Sequence, residues 1–214
     1  MSEGIPRKYD PIAISAESTV VAEYIPDAQA SAAYQSESAL EQELIRLLKS
    51  QAYEYMPVTS EAQLVTNLRT QLEALNHITF SDAEWADFFD NKIAGKNDGI
   101  VEKTVRIQED HVQLLKRDDG STKNITLLDK QNIHNNRLQV INQYEIGQGE
   151  GGANYANRYD VTVLVNGLPM VHIELKRRGV DIREAFNQIN RYQRDSFWAG
   201  SGLFEYVQLF VISN

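Results

Sequence analysis

Three residues toward the C-terminal end have types and spacing suited to chemistry on phosphate esters: Asp160, Glu174 and Lys176. Asp160 lies in the run Asn157-Arg158-Tyr159-Asp160-Val161-Thr162-Val163-Leu164-Val165, and the other two lie in Val171-His172-Ile173-Glu174-Leu175-Lys176. Both runs are rich in β-branched residues and read as strands. Side chains alternate faces along a strand, so His172, Glu174 and Lys176 fall on one face, and Val171, Ile173 and Leu175 form the apolar reverse. Glu174 and Lys176 are then about 7 Å apart along the strand. In the first run Asp160 and Thr162 are expected on one face, with Tyr159, Val161, Val163 and Val165 on the other. Asn166-Gly167 is a tight-turn signal between the runs, so they pair as an antiparallel hairpin and Asp160 and Glu174 can converge on one cation.

Two carboxylates with nearby carbonyls and waters suit magnesium, a hard cation that keeps several waters. Such an ion polarises a phosphodiester oxygen and lowers the pKa of an attacking water. Lys176 could orient that water or stabilise the pentavalent phosphorus. An amide at 160 or 174 would weaken the metal site, and an arginine at 176 would lack the compact ammonium. This is the layout of a metal-dependent nuclease. The same residues would also make a structural ion pair at a sheet edge, Glu174 with Lys176 or Arg158. His172 could face the site, or be a solvated or hydrogen-bonded strand histidine. Gln188 and Tyr192, four apart, share one helix face and could approach the site or a phosphate from the side.

The elements that must position these residues begin at Ser36. Residues 1–35 form an arm rich in Ser and Ala, with Pro6, Pro11 and Pro26 interrupting regular structure; Thr19 to Ile25 could add a single strand to something else. Ser38 and Glu41 fit a capping box for a helix to about Gln51, with Leu40, Leu44, Leu47 and Leu48 on its apolar stripe. A short extended piece, Tyr53 to Val58, precedes helices at Glu61 to Asn76 and Ser81 to about Ala94. Ala94-Gly95-Lys96-Asn97 lacks the leading glycine and the Lys-Ser/Thr pair of a phosphate loop. From Val101 the expected period is two. Val112 to Lys116 and Asn124 to Leu128 flank the turn signal Asp118-Asp119-Gly120-Ser121, and Arg137 to Ile146 is a further strand. A glycine-rich loop over 147–154, the hairpin, a helix from Asp181 to Phe197 and a strand from Tyr206 to Ile212 complete the order. Helices, strands, a helix and a strand imply an α+β or three-layer α/β/α domain around a mixed sheet.

The 214 residues suit one domain with an attached arm, and 42% hydrophobic residues allow a packed core. With no cysteine, disulfides and thiolate metal sites are excluded. No apolar run approaches the roughly 20 residues of a membrane span, and the N-terminus has no secretory signal core, so a cytoplasmic protein is the default. The net charge of −9 argues against a nucleic-acid partner. Its distribution qualifies that: Tyr155 to Asp195 carries seven basic against five acidic side chains. Two acids neutralised by a metal would leave that segment electropositive.

The runs 157–169, 172–180 and 183–192 closely resemble the N-terminal nuclease domain of type I restriction enzyme R subunits. Tyr34-Gln-Ser-Glu-Ser-Ala-Leu-Glu, Asn67-Leu-Arg-Thr-Gln-Leu, Ser81-Asp-Ala-Glu-Trp and Gln208-Leu-Phe-Val-Ile-Ser-Asn are similar to the same family, so the resemblance covers roughly residues 34–214. It implies a PD-(D/E)xK fold over residues 36–214, with Asp160, Glu174 and Lys176 at the motif positions and magnesium as cofactor. Gln188 and Tyr192 match the Gln-x-x-x-Tyr element of RecB-like nucleases. The resemblance also implies that a first-helix glutamate assists the metal, with Glu37 the candidate and Glu41 the competing choice. The family's R subunits continue into ATP-driven translocase domains, which implies that this chain is a fragment without the ATP site. The implied activity is cleavage of double-stranded DNA without sequence specificity of its own. The implied partners are the methyltransferase and specificity subunits. A non-catalytic docking module of the same complex is the alternative.

Overall fold

A computed structural model describes residues 9–14, 20–24, 36–146, 157–177 and 182–213. The chain divides into two units, Met1–Tyr34 and Gln35–Asn214. In the first, β1 (Tyr9–Ile14) pairs antiparallel with β2 (Val20–Tyr24). The single strand expected near Thr19 to Ile25 thus has its partner inside the arm, and Pro11 sits within β1, where the register shifts between Pro11 and Ala13. An edge position or an irregularity is where a strand tolerates a proline.

The second unit is built on a five-stranded mixed sheet in the order β3 (Glu54–Tyr55), β6 (Leu138–Ile146), β7 (Asn157–Val165), β8 (Leu168–Leu175) and β9 (Leu209–Ser213). The pairs β6–β7 and β7–β8 are antiparallel, and the outer pairs β3–β6 and β8–β9 are parallel. Helix α1 (Glu37–Ser50) covers one face, laying Leu40, Leu44, Ile45 and Leu48 on Val140, Val161, Val163, Ile173 and Leu175. The other face builds the larger core. Leu64, Leu68 and Leu72 of α2 (Glu61–Asn76), Trp85 and Phe88 of α3 (Asp82–Phe88) and Tyr192 of α5 (Ile182–Asp195) meet Ile141, Tyr144, Tyr159, Leu164 and Leu168 there. The result is the mixed α/β layering expected from the element order. Among the described residues no helix is long and apolar enough to cross a membrane.

Several local expectations are corrected. The first helix is capped by Ser36, whose hydroxyl accepts from Ala39 N at 3.2 Å. Glu41 is therefore not the reciprocal member of a capping box and is released for other contacts. The capping box at Ser81 and Glu84 is present, but the helix widens into a π-turn over Phe89–Ile93. Residues Ile100–Gln108 form helix α4 where strand-like alternation was expected. The binary pattern there is broken at two positions: Val101 is 70% exposed, while the buried Lys103 reaches Gly202 O at 2.8 Å and Glu205 at 2.7 Å. The small hairpin is β4 (Val112–Lys116) with β5 (Thr122–Thr126), starting earlier in its second strand than expected. A 3₁₀ turn over Leu203–Tyr206 takes the place of the start of the last strand. The glycine-rich loop at 147–154 lies outside the described residues.

The β7–β8 turn matches its sequence signal. Asn166 and Gly167 both have positive φ, 50° and 84°, as a type I′ turn requires. Gly167 has a second reason to be glycine: a Cβ there would stand 2.6 Å from Leu68 Cα of α2.

Candidate active site

At the end of the hairpin away from this turn, the β7–β8 ladder runs to Val161↔Ile173 and no further. The next backbone donor of β8, Leu175 N, is satisfied by a side chain: Asp160 Oδ2 accepts from it at 3.0 Å. Asp160 is thus fixed at the point where the two strands part. Strict alternation along β7 also fails there. Val161 and Val163 pack under α1, as one face should, but Tyr159 packs in the opposite core. The expected grouping of Tyr159 with Val161 is therefore wrong, and Asp160 is the residue at which the strand changes face. Across from it, Gln143 of β6 has φ 51°, which explains the twist: a left-handed residue reverses the pleat of its strand.

Glu174 is fully buried. Its Oε1 takes the Lys176 ammonium at 2.6 Å, and Lys176 itself is only 14% exposed. Its Oε2 lies 3.5 Å from His172 Nε2, yet the approach lacks hydrogen-bond geometry, and among the described residues neither atom has a hydrogen-bond partner. A buried carboxylate oxygen without a partner costs about 1–3 kcal/mol or more, so native structures keep few of them. Burial first, and the neighbouring Glu174 charge second, push the Asp160 carboxyl up to about 6. The two carboxylates thus crowd one spot with more negative charge than the surrounding donors neutralise. A cation there would relieve both effects at once.

His172 is buried, which removes the solvated alternative. Its ring contacts Tyr159, Tyr192, Phe197 and Phe210 edge-on, and Nδ1 lies 3.4 Å from Thr162 Oγ1. Gln188 and Tyr192 do come together: Gln188 Nε2 donates to the Tyr192 hydroxyl, which donates to Arg158 O at 2.9 Å. This ties α5 to β7 two residues before Asp160. Burial, opposed by the Gln188 bond and reinforced by the Glu174 and Asp160 charges, raises the Tyr192 phenol to about 12. Tyr192 therefore stays a neutral donor at ordinary pH.

The two first-helix acids diverge. Glu37 accepts from Arg177 N at 3.2 Å and so steadies the chain just after Lys176. Glu41 accepts from the side-chain amides of Asn142 and Gln143, and its charge is felt at Asp160. Among the described residues no group of three His, Asp or Glu side chains is placed to hold a metal unaided. Asp160 and Glu174 are a two-carboxylate site, which leaves most of an octahedral shell to water, backbone and substrate oxygens. Sequence reasoning missed Asn142, Gln143 and Tyr55 around Glu41, because nothing in a strand sequence marks a left-handed glutamine.

Comparison with known proteins places these features in a family. The family model described as the type I restriction enzyme R protein N terminus matches residues 34–214. The type I restriction enzyme EcoprrI endonuclease subunit of Escherichia coli is 49% identical over 205 residues, 95% of this chain and 64% of that protein. The SsaAORF53P endonuclease subunit of Staphylococcus saprophyticus is 44% identical over 186 residues, 85% of this chain but 19% of that protein. The HindI endonuclease subunit of Haemophilus influenzae is 37% identical over 93 residues, 42% of this chain and 8% of that protein. The chain thus spans less than two thirds of the length of each of these relatives.

Proposed function

The chain belongs to the family of type I restriction enzyme R protein N termini, and from that premise we propose that it is a PD-(D/E)xK endonuclease domain that hydrolyses phosphodiester bonds in double-stranded DNA with magnesium. The observation that carries this reading is the fully buried Glu174, one oxygen on Lys176 and the other without a hydrogen-bond partner among the described residues, beside an Asp160 carboxyl pushed up to about 6. A structural ion pair would be expected to satisfy its buried oxygens; a cation site needs one left over.

Asp160 and Glu174 are the residues that would hold the ion, with a first-helix acid assisting. Bound there, magnesium would supply Lewis acidity toward the scissile phosphate and a lowered pKa for water. Lys176, held on Glu174, sets an ammonium at the edge of the buried carboxylate, where it can orient an attacking water or meet charge developing on phosphorus. Gln188 and Tyr192 hold the Arg158 carbonyl, and so the backbone leading into Asp160. His172, Thr162 and the surrounding rings shield the inner side of Glu174 from solvent.

In the whole subunit we place the domain in the cytoplasm beside an ATP-driven motor, in a complex with methyltransferase and specificity subunits that select the DNA. The test is the full-length subunit assembled with those partners. Asp160→Asn, Glu174→Gln and Lys176→Ala should each abolish plasmid cleavage and leave ATP hydrolysis in place. Full-rate linearisation by Asp160→Asn would sink the assignment. It would favour the docking-module reading.

A further inference from the structure

His172 is a polar ring in a place suited to an apolar one. It is fully buried on β8, opposite Thr162 of β7, and packed edge-on against Tyr159, Tyr192, Phe197 and Phe210. An apolar side chain would fill that space without burying two ring nitrogens. One nitrogen is accounted for: Nδ1 lies 3.4 Å from the buried Thr162 Oγ1. The other, Nε2, stands 3.5 Å from Glu174 Oε2, and among the described residues neither atom has a hydrogen-bond partner. The two phenols beside the ring are engaged elsewhere. Tyr159 pairs with Ser196 Oγ at 2.6 Å, and Tyr192 donates to Arg158 O at 2.9 Å. Nε2 and Oε2 are thus left facing each other. A bare Nε2 would turn its lone pair on a buried carboxylate oxygen, a repulsion that a proton on Nε2 converts into attraction. The bond made at one ring nitrogen sets which nitrogen carries the proton, and a threonine hydroxyl donating to Nδ1 sets it on Nε2.

We infer that His172 is a positioning residue for Glu174: Thr162 donates to Nδ1, the ring proton sits on Nε2, and Nε2–H closes on Glu174 Oε2 when a divalent cation binds. The inference rests on the reading of Asp160 and Glu174 as metal ligands given above. A carboxylate oxygen has two lone pairs, so a bond from His172 leaves one for the ion. Hydrogen bonds of this kind are often long and poorly aligned before a ligand binds and tighten when it does. With Lys176 on Oε1 and His172 on Oε2, both the place and the plane of the carboxylate are then fixed.

The first test is heteronuclear NMR of the ring nitrogens in the 214-residue chain, with the His172 signals assigned by their loss in His172→Gln. Nε2 should carry a proton, and adding magnesium should move that proton downfield and slow its exchange with water. A bare Nε2, or a proton that magnesium leaves unmoved, overturns the inference. The second test is calorimetric titration of manganese, without DNA. His172→Leu should bind about tenfold more weakly, the usual cost of losing a group that orients a metal ligand. His172→Gln, whose amide can reach the place of Nε2, should recover most of that loss. A packing role predicts the opposite order, because glutamine packs less well than leucine among aromatic rings. Wild-type affinity in His172→Leu, or an equal loss in both variants, overturns the positioning role; if His172→Leu does not fold, the ring proton and its response to magnesium decide. Asp160→Asn separates the two levels. If it abolishes binding while His172→Leu retains it, only the positioning role fails. If it binds as the wild type does, or the wild type binds no manganese, the metal-site reading fails and takes this inference with it.

Discussion

The two ends of the β7–β8 hairpin solve opposite problems with the same pair of strands. At the turn end the buried side chain is fully partnered. Asn166 is buried, its Oδ1 accepts from Arg137 N at 2.8 Å, and its Nδ2 donates to Leu127 O at 3.0 Å and Asn136 Oδ1 at 2.7 Å. Gly167 lets the turn press against the backbone of α2. At the open end the ladder lapses, a side chain replaces a backbone acceptor, and two buried polar atoms, Glu174 Oε2 and His172 Nε2, have no hydrogen-bond partner among the described residues. The turn end fixes the strands in space. That fixation is what allows the far end to keep crowded carboxylates and broken pairing, arrangements that persist only where the surroundings over-determine them.

The comparison breaks if the turn end proves soft. Gly167→Ala should be the most costly of these changes, by about 3 kcal/mol, because the new methyl meets backbone rather than a movable side chain and the residue must keep a positive φ. For a chain of this size that is a fall of about 9 °C in the melting midpoint. A fall under about 2 °C would show that α2 yields and that the turn is not an anchor. Asn166→Ala comes next, at about 2 kcal/mol, since it strands the Arg137 N–H and the Leu127 carbonyl while keeping φ at 50°. Both variants should keep manganese affinity wherever they remain folded, because neither touches the open end.

The two ends also differ in how legible they were. Asn-Gly between β-branched runs states its turn outright, since few residues accept two positive φ values in succession. The Asp160, Glu174 and Lys176 trio was readable as residue types on adjacent strands, and the stripe of α1 told which face would be covered. The face change at Asp160 was not readable. It follows from the left-handed Gln143 one strand away, and long-range backbone geometry leaves no mark on local periodicity. Helix α4 was lost for a related reason. Of its two buried positions, Lys103 and Ile107, the first belongs to a charge whose partners Gly202 and Glu205 lie about a hundred residues on, while Val101 stays outside. A binary pattern assumes that apolar means inside, and a buried ion pair violates it. That Glu41 is free of a capping box turned on a cap, Ser36 instead of Ser38, that only the backbone could decide.

The smallest expected effect is the sharpest test of the contrast, because its sign is opposite. Asp160→Asn should stabilise the metal-free chain. Burial and the Glu174 charge raise the Asp160 carboxyl from 3.8 to about 6 in the folded protein. A raised folded pKa means that the native state prefers the protonated acid. The favourable contribution is complete below the unfolded value near 3.8 and is lost as pH rises through about 6. Asparagine keeps an oxygen for Leu175 N and never ionises, so it removes the penalty that the wild type carries above that point. The shift alone would imply a larger figure, but Asp160 is partly solvated, so the gain should be about 1 kcal/mol at pH 7.5. It should shrink through pH 6 and vanish near pH 4, where the wild-type acid is neutral on its own. Melting curves of both proteins in chelator at several pH values measure this directly. A loss of stability at pH 7.5, or a gain independent of pH, would mean that Asp160 is as well satisfied as Asn166, and the two ends of the hairpin would then be alike. Adding magnesium should reverse the order, because an ion that binds only the folded wild type stabilises it in proportion to its occupancy, and the asparagine variant has lost that ligand.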